Sequence, residues 1–112
     1  MLSFHKLDVY QRAIEFLALA VGLTREVPRG NAPVLDQLKR AATSIPLNIA
    51  EAAGRTGPAD AARTYAIARG SAMECAAVLD ALRVLGVVDA EDYHRGIELL
   101  ERIVAMLTKL RR

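Results

Sequence analysis

The stretch Ile45–Ala68, IPLNIAEAAGRTGPADAARTYAIA, contains the end of one predicted helix, a short break and the start of the next. Gly54 follows a run of helix-forming residues, at the position where a left-handed C-cap residue would end the helix. Pro58 comes directly after Thr56 and Gly57, and proline favours the first turn of a new helix. Because the break is short, the two helices are predicted to lie antiparallel beside each other.

Outward from this break, proline and glycine divide the chain into four helical segments. Asp8 and Asp89 stand where N-caps are expected for the first and last of them. The predicted bounds are Asp8–Arg25, Pro33–Ala53, Pro58–Leu85 and Asp89 to the basic C-terminal residues. No strand pattern or sequence repeat is found. The sequence therefore predicts an all-α protein in which residues 1–112 form a single domain. The predicted architecture is an antiparallel up-down-up-down four-helix bundle.

The composition limits the classes of function. Hydrophobic residues make up 53% of the 112 residues and charged residues 25%, which is typical of a globular chain. The net charge of +2 permits nucleic-acid binding without arguing strongly for it. The single cysteine, Cys75, excludes an internal disulfide. Because the chain has only two histidines, His5 and His94, in addition to this cysteine, no metal site is expected. The uncharged run Phe16–Thr24 is too short to span a bilayer, so we expect a cytoplasmic protein without a membrane partner.

Apolar residues at helical spacing predict which faces form the core. Helix 3 has the most regular line, which alternates steps of four and three residues. The predicted core lines are Tyr10, Ala13, Ile14, Leu17, Ala20, Val21 and Thr24 on helix 1, Ala61, Tyr65, Ala68, Ala72, Cys75, Leu79 and Leu82 on helix 3, and Tyr93, Ile97, Leu100, Val104 and Leu107 on helix 4.

Helices 1 and 4 each carry a second apolar line. These lines are Val9, Phe16, Leu23 and Val27 on helix 1, and Leu99, Ile103, Met106 and Leu110 on helix 4. Each helix is thus apolar over roughly 180°, more than a surface helix needs. Two interpretations follow: a small bundle in which both lines are buried, or a face covered by a partner subunit. We favour the partner subunit, since a bundle of 112 residues has little interior.

A polar line follows one side of the second helix. It comprises Arg40, Ser44, Asn48, Glu51 and Arg55. These residues fall within an arc of about 80°, which the pattern directs away from the core. A solvated face with weak ion pairs is one interpretation. Leu47 within the arc and Pro46, which removes a helical hydrogen bond, favour another: a polar joint that registers neighbouring helices or subunits.

The third helix offers a counterpart to this line. Ser71 and Glu74 lie beside its core line, and Glu74 has apolar neighbours, so it needs a polar partner if it is buried. Arg40, Arg55 and Asn48 are the predicted partners. Gly70 is unfavourable within a helix, which predicts a close approach of another helix there.

Three segments resemble a known family: LKRAATSIPLNIAEAAGR (38–55), YAIARGSAMECAAVL (65–79) and FHKLDVYQRA (4–13). The family is that of the four-helix-bundle proteins of ribosomal RNA intervening sequences, also called the S23 type. Its pattern usually has glycine where this chain has Ala52, and the change removes a place for close backbone contact. The family motif falls on Arg40, Ser44, Pro46, Asn48, Glu51, Gly54, Arg55, Gly70, Ser71 and Glu74.

The resemblance implies an antiparallel four-helix bundle that assembles as a homopentamer around a central channel. A related branch is the accessory variability protein of diversity-generating retroelements, which resembles a basic pentameric barrel that engages a reverse transcriptase and nucleic acid. The resemblance implies a scaffold more directly than it implies an activity.

Two functions are compatible with these features. One is a non-enzymatic oligomer that binds RNA, DNA or a nucleic-acid-processing protein. The candidate phosphate contacts are Lys39, Arg40, Arg55, Arg63, Arg69, Lys109, Arg111 and Arg112. The alternative is a structural or protein-interaction module without a nucleic-acid role.

An enzyme is not expected. The chain has no nucleophile, base and orienting group at usable spacing, no Glu-x-x-His pair and no phosphate-binding glycine loop. Cys75 lies on the predicted core line beside Glu74, where its thiol pKa would be raised. No cofactor is implied.

Overall fold

The computed structural model describes residues 1–111. Its helices are α1 (Asp8–Glu26), α2 (Ala32–Ala53), α3 (Pro58–Val84) and α4 (Ala90–Leu110), with short 3-10 turns at Ser3–Lys6 and Arg29–Asn31. No strand occurs in residues 1–111. The all-α prediction is confirmed, and each helix ends within about one residue of its predicted bound.

The four helices form a closed antiparallel bundle of 44 × 25 × 22 Å. Each helix packs against the helices before and after it in the chain, and α4 returns to pack against α1. The contact between α2 and α3 is the most extensive. In the two helix pairs that lie diagonally opposite, α1 with α3 and α2 with α4, no Cα atoms approach within 8 Å among the described residues. This is the up-down-up-down arrangement that short connections favour.

Two helix ends follow from local sequence. The Asp89 carboxylate accepts a hydrogen bond from the Asp92 amide at 2.8 Å, as expected of an N-cap. After α3, Gly86 adopts a φ of +73°, which glycine tolerates without strain. Its amide donates to the Arg83 carbonyl, and the Val87 amide donates to the Leu82 carbonyl. These two bonds form a Schellman motif, which satisfies carbonyls at the end of the helix.

Two other predicted caps are wrong. Gly54 has φ −88° and ψ −7°, so the chain leaves α2 through a right-handed turn rather than a left-handed residue. The amides of Gly54 and Arg55 bond to carbonyls three residues earlier, and this tightening needs no positive φ. Leu7, not Asp8, is the N-cap of α1. The Asp8 carboxylate lies 3.7 Å from the Arg12 side chain in the first turns of the helix.

The core confirms the predicted line on α3 and corrects the one on α1. On α3, the residues from Tyr65 to Leu82 in the predicted line are all buried. On α1, Ile14 of the predicted line is 41% exposed, whereas Phe16 of the second line is 0% exposed. Val9 and Leu23 of that second line are also buried. Two apolar lines were available, and α1 is rotated so that the aromatic ring fills the centre of the bundle.

The second line of α4 is also largely used within the bundle. Leu99 and Ile103 are buried together with Leu100 and Leu107 of the predicted line. Val104 is only half-buried. The broad apolar surfaces of α1 and α4 therefore serve the core, and the preference for a partner-covered face on these two helices is not supported.

One core residue, Gly96 of α4, had no signal in the apolar pattern. It is buried, and a Cβ atom placed on it would lie 2.7 Å from Leu79 Cδ1 and 3.4 Å from Leu19 Cδ2. Gly70, in contrast, is exposed and has no neighbour within 4 Å of such an atom. The close approach predicted at Gly70 is thus found at Gly96, where side chains of α3 and α1 reach α4.

Candidate functional site

A polar cluster joins α2 to α3 at half-buried positions, and we call it the α2–α3 joint (Ser44, Asn48 and Ser71). The hydroxyl oxygens of Ser44 and Ser71 lie 2.8 Å apart and share a hydrogen bond. The Asn48 amide nitrogen donates to both the Ser44 carbonyl and the Ser44 hydroxyl, each at 2.9 Å. The predicted line is thus turned partly toward α3 rather than wholly away from the core. Within one chain, these residues connect two helices.

α2 continues through Pro46, which is buried. The neighbouring hydroxyls do not replace the helical hydrogen bond that proline removes, because Thr43 donates to the Lys39 carbonyl at 2.7 Å and Ser44 bonds to Ser71. The ring of Pro46 instead contributes apolar area on the buried side of α2.

Glu74 has a different partner from those predicted. It accepts a hydrogen bond from the Gln37 side-chain amide at 3.1 Å, and its own side chain is exposed. The antiparallel register explains this pairing: with Ser71 opposite Ser44, later residues of α3 lie opposite earlier residues of α2. Arg55 and Asn48 are therefore too far along α2, and Arg40 forms no ion pair within residues 1–111.

Charged residues form a second group at the turn between α2 and α3. Arg55, in the turn after α2, pairs with Glu51 in the last turn of that helix and lies 3.5 Å from an Asp60 oxygen on α3. Arg63 donates to the other Asp60 oxygen at 3.1 Å. Glu51, Arg55 and Arg63 are exposed, so these pairs contribute little to stability individually. They place Glu51 and Arg55 outside the α2–α3 joint.

The candidate phosphate contacts are not brought into one patch. Arg69 is half-buried and its Nε donates to the Thr108 hydroxyl at 2.9 Å, so it links α3 to α4. Arg63 is engaged by Asp60. Lys39 on α2 and Lys109 and Arg111 at the end of α4 are exposed. Arg112 lies outside the described residues.

A shallow cleft on α2 brings together several residues that the sequence pattern singled out, and we call it the α2 groove. It has a volume of about 510 Å³. Its lining residues are Asp36, Lys39, Arg40, Thr43, Ser44, Leu47 and Asn48. Leu47 is the one apolar residue among them, and its side chain is 63% exposed. The groove therefore combines two cations, one carboxylate, one apolar side chain and the edge of the α2–α3 joint.

The surroundings of the Cys75 thiol and the His5 ring bear on whether either could take part in catalysis. Cys75 is fully buried, and burial followed by the charge of Glu74 raises its thiol pKa to about 12, so no thiolate forms near neutral pH. The His5 ring nitrogen Nδ1 accepts a hydrogen bond from the Leu2 amide at 3.1 Å. Within residues 1–111, no three metal-ligating side chains lie together. No helix in that range is long and apolar enough to cross a membrane.

Comparisons with known proteins agree with this architecture. A crystal structure of a protein with unknown function from the S23 ribosomal protein family of Bacteroides thetaiotaomicron VPI-5482 superimposes with a TM-score of 0.84. The two share 24% identity over 93% of this chain and 98% of the other, a likeness that establishes the fold alone. A search of functionally curated proteins finds no match. The sequence profile of the family described as 23S rRNA-intervening sequence protein matches residues 5–109. Because that match spans nearly the whole chain, the protein belongs to the 23S rRNA-intervening sequence protein family.

Proposed function

We propose that this chain is a non-enzymatic, homo-oligomeric scaffold of the cytoplasm, a homopentamer that binds RNA or DNA. The observation that carries the oligomer is an exposed apolar surface on α3, which we call the α3 outer face. Its residues are Ala66, Ile67, Gly70, Met73, Ala77, Ala81 and Val84, all of them exposed.

α3 carries apolar residues on its outer side as well as in the core. Its inner side lies in the core, while Ile67 and Met73 on the outside are 49% and 51% exposed. Beside the α3 outer face, a mainly apolar groove of about 320 Å³ runs between α3 and α4 past Met73, Ala76 and Val104. Apolar side chains that lie together on an exposed surface are typical of a protein contact.

The number of subunits is inferred from the family resemblance, and the nucleic-acid ligand is inferred from charge. The pentamer is what the family resemblance implies. Five copies of a chain that carries +2 would together carry about +10, which would attract a polyanion. Exposed Lys39, Arg40, Lys109 and Arg111 are the chain's contribution to such binding.

The alternative is an interaction module with no nucleic-acid role. It is favoured because several basic side chains already have partners in the same chain. Arg55 and Arg63 contact Asp60, and Arg69 donates to Thr108. In that case a protein, including one that processes nucleic acid, is the partner.

Native mass measured by light scattering after size exclusion tests the oligomer. We expect a sharp pentamer for the parent chain and dissociation for Ala77→Glu, because a charge would be placed within the α3 outer face. Ala18→Glu on the exposed side of α1 makes the same chemical change and should leave the mass unaltered. A monomeric parent chain, or equal dissociation of both variants, would refute the assembly through α3.

Binding to nucleic acid is tested separately, by titration at increasing salt. Displacement of counterions predicts an affinity that falls steeply as salt rises, and Arg111→Glu together with Arg112→Glu should weaken it. Undetectable binding at low salt would remove the nucleic-acid role and leave the interaction module.

A further inference from the structure

We propose that the α2 groove binds the phosphate backbone of a single-stranded nucleic acid. This inference rests on the proposed function and specifies the surface that carries it. The groove lies on α2 and shares none of its lining residues with the α3 outer face, so a strand and a second subunit would not compete for the same side chains.

Two adjacent cations supply the charge. Lys39 and Arg40 are exposed, line the groove and form no ion pair within residues 1–111. Arg12, Arg55 and Arg63, in contrast, each pair with a carboxylate. Because the groove holds two cations, Lys39 and Arg40, and one carboxylate, Asp36, its lining residues keep a net charge of about +1 (2 − 1). An arginine can hold two phosphate oxygens at once, and each neutralised phosphate releases counterions.

The α2–α3 joint forms a fixed edge at the other end of the groove. Both donor contacts of the Asn48 amide are used by Ser44, which leaves the carbonyl oxygen Oδ1 without a partner in residues 1–111. This oxygen can accept a hydrogen bond from a sugar hydroxyl or a base amino group. Asn48 stands about 12 Å along the helix from Arg40. The groove thus offers cations at one end and an acceptor at the other, the pattern of groups that a nucleic-acid strand complements.

The shape of the groove favours a single strand over a duplex. It is a shallow cleft on one helix, and Leu47 stands in it with its side chain exposed. The unstacked bases of a single strand can contact an apolar side chain and a polar edge, whereas a duplex presents mainly phosphates to such a surface. Asp36, which also lines the groove, opposes the phosphates and lowers the affinity.

Fluorescence anisotropy with a labelled uridine oligonucleotide tests the site, with native mass measured for every variant. Lys39→Gln and Arg40→Gln should each weaken binding by about fivefold to tenfold and lower the salt dependence by about one phosphate contact. Asp36→Asn should strengthen binding about twofold or more, because it removes a repelling charge from the groove. Arg102→Gln, on the exposed side of α4, changes the net charge equally and should keep the affinity within about twofold of the parent.

The outcomes separate this site from the wider proposal. Strand binding that is lost in Arg40→Gln but kept in Arg102→Gln supports the groove. Binding by the parent that all the variants retain equally would refute the groove and leave nucleic-acid binding intact. No binding by the parent would overturn both.

Two further measurements test the nature of the ligand. A duplex of the same length that binds as tightly as the single strand would refute the preference argued from Leu47 and Asn48. The second is the binding of inorganic phosphate. If phosphate binding is weakened by Lys39→Gln and Arg40→Gln while the oligonucleotide does not bind, the groove is a site for free phosphate and the proposal of a nucleic-acid strand is wrong.

Discussion

The contacts of α1 and those of α3 use different chemistry. Within residues 1–111, no side-chain hydrogen bond joins α1 to α2 or α4, and its buried residues are all apolar. α3 is linked on both sides: to α2 through Ser71 and Glu74, and to α4 through Arg69 and Asp80. Both helices pack through buried apolar residues, yet within residues 1–111 only α3 of the two also makes side-chain hydrogen bonds to both neighbouring helices.

This difference indicates that apolar burial and hydrogen bonds have different roles: burial stabilises the bundle, and hydrogen bonds fix how one helix is aligned with the next. Burial of apolar area is strongly favourable but has no direction, so a helix held only by it can rotate until its largest side chains fit. A hydrogen bond contributes only about 1 kcal/mol in net terms, but it requires defined partners at a defined distance. α1 should therefore contribute chiefly to stability, and the α2–α3 joint chiefly to the alignment of α2 with α3.

The largest expected effect tests the shape-based contact. Phe16→Ala should lower the free energy of unfolding by about 3–5 kcal/mol, because the ring is fully buried. Chemical denaturation followed by circular dichroism measures this. Ile14→Ala, on the line that the pattern assigned to the core, should cost less than about 1 kcal/mol because that side chain is 41% exposed. Equal losses for the two variants would show that α1 is rotated differently.

The next effect concerns the close approach at Gly96. Gly96→Ala should destabilise by about 1–3 kcal/mol, since the new methyl would lie 2.7 Å from Leu79, itself fully buried and tightly packed. Gly22→Ala on α1 provides the matched control, because a Cβ atom there would have no neighbour within 4 Å and alanine gains up to about 1 kcal/mol in helix propensity. Thermal unfolding compares the two, and similar midpoints would mean that Leu79 moves aside without cost.

The α2–α3 joint predicts a smaller, specific coupling. In a double-mutant cycle, Ser44→Ala and Ser71→Ala should show a coupling of about 0.5–1.5 kcal/mol, because they share one hydrogen bond. A cycle of Ser44→Ala with the distant Thr108→Ala on α4 should show none. Additive effects in the first cycle would show that the hydrogen bond between Ser44 and Ser71 does not help to align α2 with α3.

The smallest effect is expected at the charged turn. Arg55→Ala should cost only about 0.3–0.5 kcal/mol, and less at high salt, because Arg55 and Glu51 are about half exposed at 41% and 51%. The polar joint predicted from the sequence included Glu51 and Arg55. A loss above about 2 kcal/mol, measured by urea unfolding, would return these residues to the joint.

The sequence predicted the helix bounds and the core line of α3 well. Pro58, Gly86 and Asp89 act within a few residues of themselves, and α3 has one regular line of buried side chains, so both signals are readable locally. On α1 the same reasoning correctly placed Ala13 and Ala20 in the core but assigned Ile14 there in preference to Phe16, because two apolar lines were present and only packing against α2 and α4 selects between them.

The candidate site was predicted as a set of residues but not as an arrangement. Helical spacing placed Ser44 and Asn48 on one line and identified Ser71 on the neighbouring helix. The register of α2 against α3 decided that Ser44 contacts Ser71 and that Gln37, which carried no signal, contacts Glu74. The α2 groove, in contrast, is lined by residues of α2 alone.

By itself, then, the sequence of this protein determined four helices, their order and the N-cap at Asp89, because each depends on residues close together in the chain. Tertiary structure alone decided the rotation of α1, the close approach at Gly96, the partner of Glu74 and the exposure of the α3 outer face. These four features depend on atoms from helices that are distant in sequence, and the apolar pattern of one helix carries no information about which of its sides another helix will cover.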